Sequence, residues 1–550
     1  MLTGIVTAIV IVCFRLLIEY SGIWLFNMTD TENFEGLDMI SRSLMVIIGA
    51  LLLGLLLQRY SPSARRVGVV HVMERLSRHQ GYLPLKNSVI QFLGGAIALV
   101  SGQSGGREGP AIHLGATAAS LLGQQSKLPN NSIRTMVACG TAAAIAASFN
   151  TPIAGVIFAM EVVMMEYTVA SFVPIIISAV TSTLVSQLFF GAEPAFIVVP
   201  IHIYSALEIP YLLLGGILIG TFAAGYIQLI QAFARLSRWP FWLRILLAGL
   251  LTASVGILLP EVLGVGYDSV NRMMVSEVSA MLLVGLLFAK AITSAASYGL
   301  GMPIGLIGPT MVIGACLGGI LGNALSLWQG VDISPALYVM LGMCAMMAAV
   351  LQAPLAALMA VLEMTTNTSI IPPAMVTIVV ATMVTSHVFG QRSVFITTLN
   401  TLGLQYPPNP VTLHLQRIGA MAIMDRAFIR LPATISNHRA RTLITSGVHW
   451  ILVEAEEDDK IRAALNSADL AAFMEERGAD EDAIHLLELP GERMDVTTID
   501  AQATAAQVLQ AINKAQVDAC IVQRITAPLI TPVVGIVTRH HLDNYRNPVE

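Results

Sequence analysis

Eleven apolar blocks dominate the first four hundred residues, near 4–27, 43–58, 89–101, 135–163, 172–190, 210–235, 244–263, 279–297, 304–326, 338–363 and 373–389. A helix needs roughly 20 residues to cross a bilayer, and several blocks are shorter than that or are interrupted by Gly and Pro. The pattern therefore predicts a polytopic bundle that includes tilted and half-spanning helices. The stretch from Leu2 to Leu25 has no basic leader region and no small-residue cleavage site, so it reads as the first span. Beyond Tyr406-Pro-Pro-Asn-Pro410 the pattern changes to short apolar runs set among charges, as expected of a water-facing α/β domain.

Composition sharpens that boundary. The chain is 55% hydrophobic, only 12% charged, and has a mean hydropathy of +0.72. Of its 65 acidic and basic residues, 32 fall in the last 139 positions, which places a membrane domain at 1–411 and a soluble domain at 412–550. Arg59, Arg65, Arg66, Arg75 and Arg78 cluster between two early blocks and assign that loop to the cytoplasm. The five cysteines are scattered, which suggests neither a disulfide framework nor a metal site.

An internal repeat organises the membrane part into halves of roughly 1–200 and 201–411. Gly106-Arg-Glu-Gly-Pro-Ala-Ile-His-Leu-Gly115 returns 199 residues later as Gly305-Leu-Ile-Gly-Pro-Thr-Met-Val-Ile-Gly314. Gly140 to Pro152, continuing to Glu161, returns 202 residues later as Gly342 to Pro354, continuing to Glu363. Gly/Pro-interrupted helices at matching positions of two halves point to a midplane site at the repeat interface. If the halves are inverted, two helix N-termini converge there. Free N–H groups and the positive ends of two helix dipoles would then face one anion. Glu108 is an acid between apolar runs, which is costly without a function.

These residues resemble the CLC family of chloride channels and chloride/proton antiporters. Gly106-Arg107-Glu108-Gly109-Pro110 matches the family's GREGP motif, and Gly305-Leu306-Ile307-Gly308-Pro309 is similar to its GxFxP motif with Ile for Phe. Gly140 to Glu161 resembles a third family stretch. The resemblance implies an all-α polytopic fold with an inverted repeat and broken helices, followed by a cytoplasmic α/β pair of CBS modules. It further implies a multi-pass protein of a plasma or bacterial inner membrane, and a homodimer with one chloride path per subunit. By the same likeness Glu108 is the gate. Backbone N–H groups of Gly109, Leu306 and Ile307 ligate the anion, and Arg107 adds positive potential or orients the loop.

Three departures bear on mechanism. The family's serine-bearing GSGIP stretch should fall at Arg66-Val67-Gly68-Val69-Val70, where only Gly68 is kept and Val67 has no hydroxyl. The family's anion-binding tyrosine should fall at Phe395. Each lost donor removes about 1 kcal/mol of anion stabilisation, so a weaker or less selective central site is expected. In antiporter members a second glutamate follows the Glu161 position and carries protons; here it is Val162. Glu166 lies four residues on and is expected on the same helical face, a substitute carrier or a helix-end acid. Glu161 and Glu363 are expected to be paired structural or water-facing groups, with a proton role for Glu161 as the alternative. His113 reads as a hydrogen-bonded core residue rather than a relay. Lys290 either adds potential to the vestibule or stabilises helix ends.

In the tail, Val448–Val453 with 461–474 and Val517–Val522 with 533–542 resemble two CBS modules, near 418–478 and 490–548. Asp469 and Thr538 hold what remains of the nucleotide-contacting pattern, so an adenine nucleotide is a weaker expectation than a dimer-stabilising scaffold. No other cofactor, no metal and no nucleic acid is expected, and the acidic run 454–459 reads as a solvated loop. Transport, channel-like or weakly proton-coupled, is expected ahead of strict chloride/proton exchange. A CBS-regulated magnesium transporter would need acidic or carbonyl pore ligands, whereas paired helix starts supply positive ends. An enzyme is not expected, for no nucleophile–base pair or metal cluster appears.

Overall fold

The computed structural model describes residues 1–26, 34–167, 169–193, 196, 208–275, 278–329, 335–404, 410–454, 461–477, 483–524 and 531–546. Residues 406–409 of the Pro-rich boundary and 455–459 of the acidic run lie outside these. The chain divides into two compact units, Met1–Gln125 with Arg134–Pro407, and Ser126–Ile133 with Pro408–Glu550.

The first unit is helical. Among the described residues nine helices are long and apolar enough to cross a membrane, and four shorter apolar helices accompany them. The single apolar block 135–163 is two helices, Asn130–Phe149 and Pro152–Phe158. Its counterpart 338–363 likewise splits into Pro335–Leu351 and Pro354–Thr365. The cause is local: Asn150 and Gln352 take φ of +60° and +53°, and a proline two residues later occupies the first helical turn. A left-handed residue ends one helix and the proline suits the start of the next.

Four further starts matter for function, at the helices Gly68–Arg78, Glu108–Gln125, Tyr267–Met274 and Ile307–Gln329. The first and third are short, only 11 and 8 residues; the first begins on Gly68 itself and the third follows Gly264-Val-Gly266. They are also repeat mates, because the 199-residue offset carries Gly68 onto Tyr267.

The second unit holds a six-stranded sheet in the order β1-β3-β4-β6-β7-β8, made of Phe428–Pro432, Trp450–Glu454, Ile461–Asn466, Met494–Asp500, Ala519–Gln523 and Val533–Thr538. The small strands β2, Thr434–Ser436, and β5, Ala483–His485, pair apart from it. The large sheet repeats itself. β1 is parallel to β3 and β3 antiparallel to β4, while β6 is parallel to β7 and β7 antiparallel to β8. Irregularities at Val453/Glu454 and Val522/Gln523 fall at matching places. The halves join edge to edge through antiparallel β4 and β6. Asp425 adds a second tie: its backbone bridges Ile536 of β8, while its carboxylate accepts hydrogen bonds from His449 Nδ1 at 2.8 Å and Trp450 Nε1 at 3.2 Å.

Candidate anion site

Two glycine loops build the centre of the first unit. Gly106 and Gly305 form an antiparallel bridge, Gly106 N–H donating to the Gly305 carbonyl at 2.9 Å and Gly305 N–H to the Gly106 carbonyl at 2.7 Å. Side chains would forbid this approach, since a Cβ on Gly109 would stand 2.8 Å from Gly305 Cα. The bridge brings the starts of the Glu108 and Ile307 helices to one place, so their unsatisfied N–H groups and positive dipole ends share a focus.

Glu108 lies at that focus and is completely buried. Its Oε1 accepts a hydrogen bond from the Tyr267 hydroxyl at 2.7 Å. Its Oε2 has no hydrogen-bond partner and lies 3.1 Å from where a Cβ on Gly305 would stand. A Cβ on Gly308 would come within 3.2 Å of Oε1. The carboxylate thus rests against bare backbone from both repeats. Leu306 and Ile307 are buried beside it, and Arg107 reaches the ring of Phe149, its guanidinium carbon 5.8 Å from the centroid.

The remaining predicted positions form a second group. Val67 caps the Gly68 helix without a side-chain hydrogen bond, and Gly68 has φ +75° with open space where a Cβ would be. Phe395 is buried on the helix Val394–Thr401, which packs against the Gly68 helix. Neither Val67 nor Phe395 carries a hydroxyl, so backbone N–H groups of the Gly68 helix start are what this group has to offer an anion.

The acids expected near a proton route are placed differently from the simple pattern. Glu161 accepts from Leu355 N–H at 3.3 Å and Ala356 N–H at 2.8 Å, while Glu363 accepts from Ile153 N–H at 3.0 Å and Ala154 N–H at 2.7 Å. Instead of pairing with each other, each acid caps the start of the helix that leads to the other, Pro354–Thr365 for Glu161 and Pro152–Phe158 for Glu363. Val162 is buried. The expectation that Glu166 shares a helical face with Val162 fails. The chain widens into a π-turn over Ala159–Met164 and stops at Met165 in the left-handed region, leaving Glu166 beyond the helix.

His113 is buried and hydrogen-bonded, its Nε2 2.8 Å from Nδ1 of His71 on the Gly68 helix. Lys290 is fully buried and donates to the carbonyls of Val262 at 3.0 Å and Gly264 at 2.7 Å. It therefore holds the loop that delivers Tyr267. In the tail, Asp469 packs under Gly491, and Thr538 and His541 exchange hydrogen bonds of 3.3 Å that cap the helix Arg539–Arg546.

Sequence reasoning missed Tyr267. The signal was present: the repeat offset applied to Gly68 lands on it, directly after Gly264-Val-Gly266. His71 had no comparable signal.

Comparison with known proteins settles the family. The sequence profile described as "Voltage gated chloride channel" matches residues 49–386. The chain belongs to the CLC family of chloride channels and transporters. It is 33% identical over 405 residues to the putative chloride channel protein ClcB-like of Ralstonia nicotianae, covering 72% of this chain and 94% of that protein. It is 30% identical over 397 residues to the voltage-gated ClC-type chloride channel ClcB of Escherichia coli strain SMS-3-5, covering 69% and 93%. Among solved structures, a slow cyanobacterial Cl−/H+ antiporter superposes with TM-score 0.66 at 22% identity, over 74% of this chain and 97% of that one. A eukaryotic CLC transporter superposes with TM-score 0.63 at 19% identity, over 98% and 96%. At these identities the two structures establish the fold: a helical, polytopic CLC domain with broken helices, followed by an α/β region. This CLC protein is therefore an integral membrane protein of chloride transport.

Proposed function

We propose that this CLC protein conducts chloride, and other small monovalent anions, along a path gated by Glu108, in a passive or weakly proton-coupled mode. The observation that carries the reading is the Glu108 carboxylate itself, buried between two helix starts and touching backbone of both. A negative group there occupies the place that a permeant anion needs, so transport requires that it leave. Gly109, Leu306 and Ile307 offer backbone N–H groups to the incoming anion, and Arg107 contributes positive potential beside them. The Gly68 helix start, with Val67 and Phe395 alongside, forms a central site without side-chain hydroxyls and binds weakly.

Weak coupling follows from the inner acids. Val162 cannot carry a proton, and the Glu161 carboxylate is engaged as a helix cap. Strict chloride/proton exchange would need a substitute carrier, for which Glu166, buried just past the helix end, is the candidate. The tail resembles a CBS pair in strand order and repetition. We assign it a scaffold role in a homodimer rather than a nucleotide site, because the Thr538 hydroxyl is engaged in a helix cap.

Reversal potentials of purified protein in bilayers, measured across a pH gradient, test the mode. Reversal at the chloride Nernst potential at every pH supports passive conduction. A shift that follows the proton gradient, or uphill proton movement driven by chloride, overturns it in favour of exchange.

A further inference from the structure

The helix Leu2–Phe26 contains two charged residues, Arg15 and Glu19, in an otherwise apolar span. Ionisable groups inside a membrane segment are retained where they serve a function. Arg15 Nε donates to Glu19 Oε1 at 2.6 Å, and its guanidinium carbon sits 3.7 Å from the centre of the Phe190 ring. Ion pair and ring together hold the guanidinium in one place.

That pair lines a narrow, partly open cleft with about 30 Å³ of room for water, whose wall also includes Arg107, Phe34 and Gly264-Val265. The cleft neighbours the Glu108 focus from two directions. Arg107 immediately precedes Glu108 in the chain, and a Cβ on Gly308 would lie 2.7 Å from Val265 Cγ1. Sidedness follows from charge. The helix Met39–Gln58 runs into the arginine-rich loop assigned to the cytoplasm, so its beginning, and Phe34 just before it, lie on the outer side.

We propose that this cleft is an outer anion-capture site, in which Arg15 and Arg107 hold a small monovalent anion next to the gate and Glu19 limits how tightly it is held. Two guanidinium groups and one carboxylate give the lining a net charge of +1. A water needs about 10–15 Å³ on this measure, so the cleft has room for one small ion and little else. Such a site raises the local anion concentration beside the gate, and cleft geometry focuses the field. The proposal rests on the reading of this chain as an anion path.

The test is the external-chloride dependence of flux in right-side-out membrane vesicles, with everted vesicles as the control for the opposite face. Arg15→Gln raises the half-saturating external chloride about threefold, the effect of removing one charge roughly 8 Å from the ion at a dielectric approaching that of water, as suits a cleft open to the outside. Glu19→Gln lowers it by a similar factor. The swapped pair Arg15→Glu/Glu19→Arg keeps the ion pair and returns the value toward wild type, which separates capture from folding. Everted vesicles show none of these shifts, and raising ionic strength with an impermeant salt shrinks them. The inference is overturned if both single variants move the value in one direction, if neither moves it, or if the shifts are equal on the two faces. If the wild type itself moves no chloride, it is the proposed function that fails.

Discussion

Replacing Tyr267 with Phe isolates one interaction of the gate. The ring packs edge-on against Phe149 and Phe196, with centroids 6.2 and 5.7 Å away, and phenylalanine keeps both contacts. Only the hydroxyl that donates to Glu108 Oε1 at 2.7 Å is lost. A hydrogen bond to a charged, buried group contributes about 1.5–3 kcal/mol. Glu108 then leaves its seat between the helix starts about ten to a hundred times more readily. Chloride efflux from proteoliposomes should rise, up to the point where another step limits the rate. The control is Glu108→Gln, alone and combined with Tyr267→Phe, because a double-mutant cycle isolates the pairwise term. The Tyr267→Phe effect should shrink markedly in the Glu108→Gln background. An equal effect in both backgrounds would mean that Tyr267 acts elsewhere, and the latch would be refuted.

Other outcomes follow from the same geometry. Glu161→Ala and Glu363→Ala should each lower thermal stability in detergent by about 1 kcal/mol, by similar amounts, since each removes a helix cap of the same design; a large loss from only one would break the symmetry of roles. Gly109→Ala should abolish chloride flux in protein that still reaches the membrane, because its Cβ would stand 2.8 Å from Gly305 Cα, and normal flux would show that the loops can move apart. In the tail, burial works against ionisation of Asp425, but the Ala427 N–H and His449 outweigh it and hold the carboxyl below its ordinary value. A depressed carboxyl stabilises the fold above its unfolded value and loses that contribution as pH falls through the folded one. Hydrogen exchange of β3 and β8, corrected for its intrinsic pH dependence, should therefore accelerate below about pH 4 in the wild type. Asp425→Asn should show less of that acid-dependent change, and an identical pH response in the two proteins would exclude the tie.

The repeat made much of the membrane architecture legible before any coordinates. Paired glycines and prolines mark where backbone must approach backbone and where a helix must begin, so the meeting of the Glu108 and Ile307 helices could be read from residue types alone. Apolar periodicity could not divide block 135–163, because the break depends on one left-handed residue, Asn150, inside an apolar run. Glu166 was misplaced for a related reason: counting four residues assumes an α-helix, and the widened turn at 159–164 voids the count. Tyr267 was overlooked because attention followed the strongest motifs, although the offset that aligned those motifs also pointed to it. Side-chain partners at long range, such as His71 with His113 or Arg15 with Phe190, depend on packing between helices and leave no trace in local pattern.

Bromide anomalous diffraction from crystals of the Glu108→Ala protein tests the shared focus of the two helix starts most directly. With the carboxylate gone, a bromide peak should appear between Gly106, Gly305 and Gly308, in the space Glu108 now fills. Bromide bound elsewhere in the membrane unit, with that space empty, would contradict the assignment of those helix starts as the anion site.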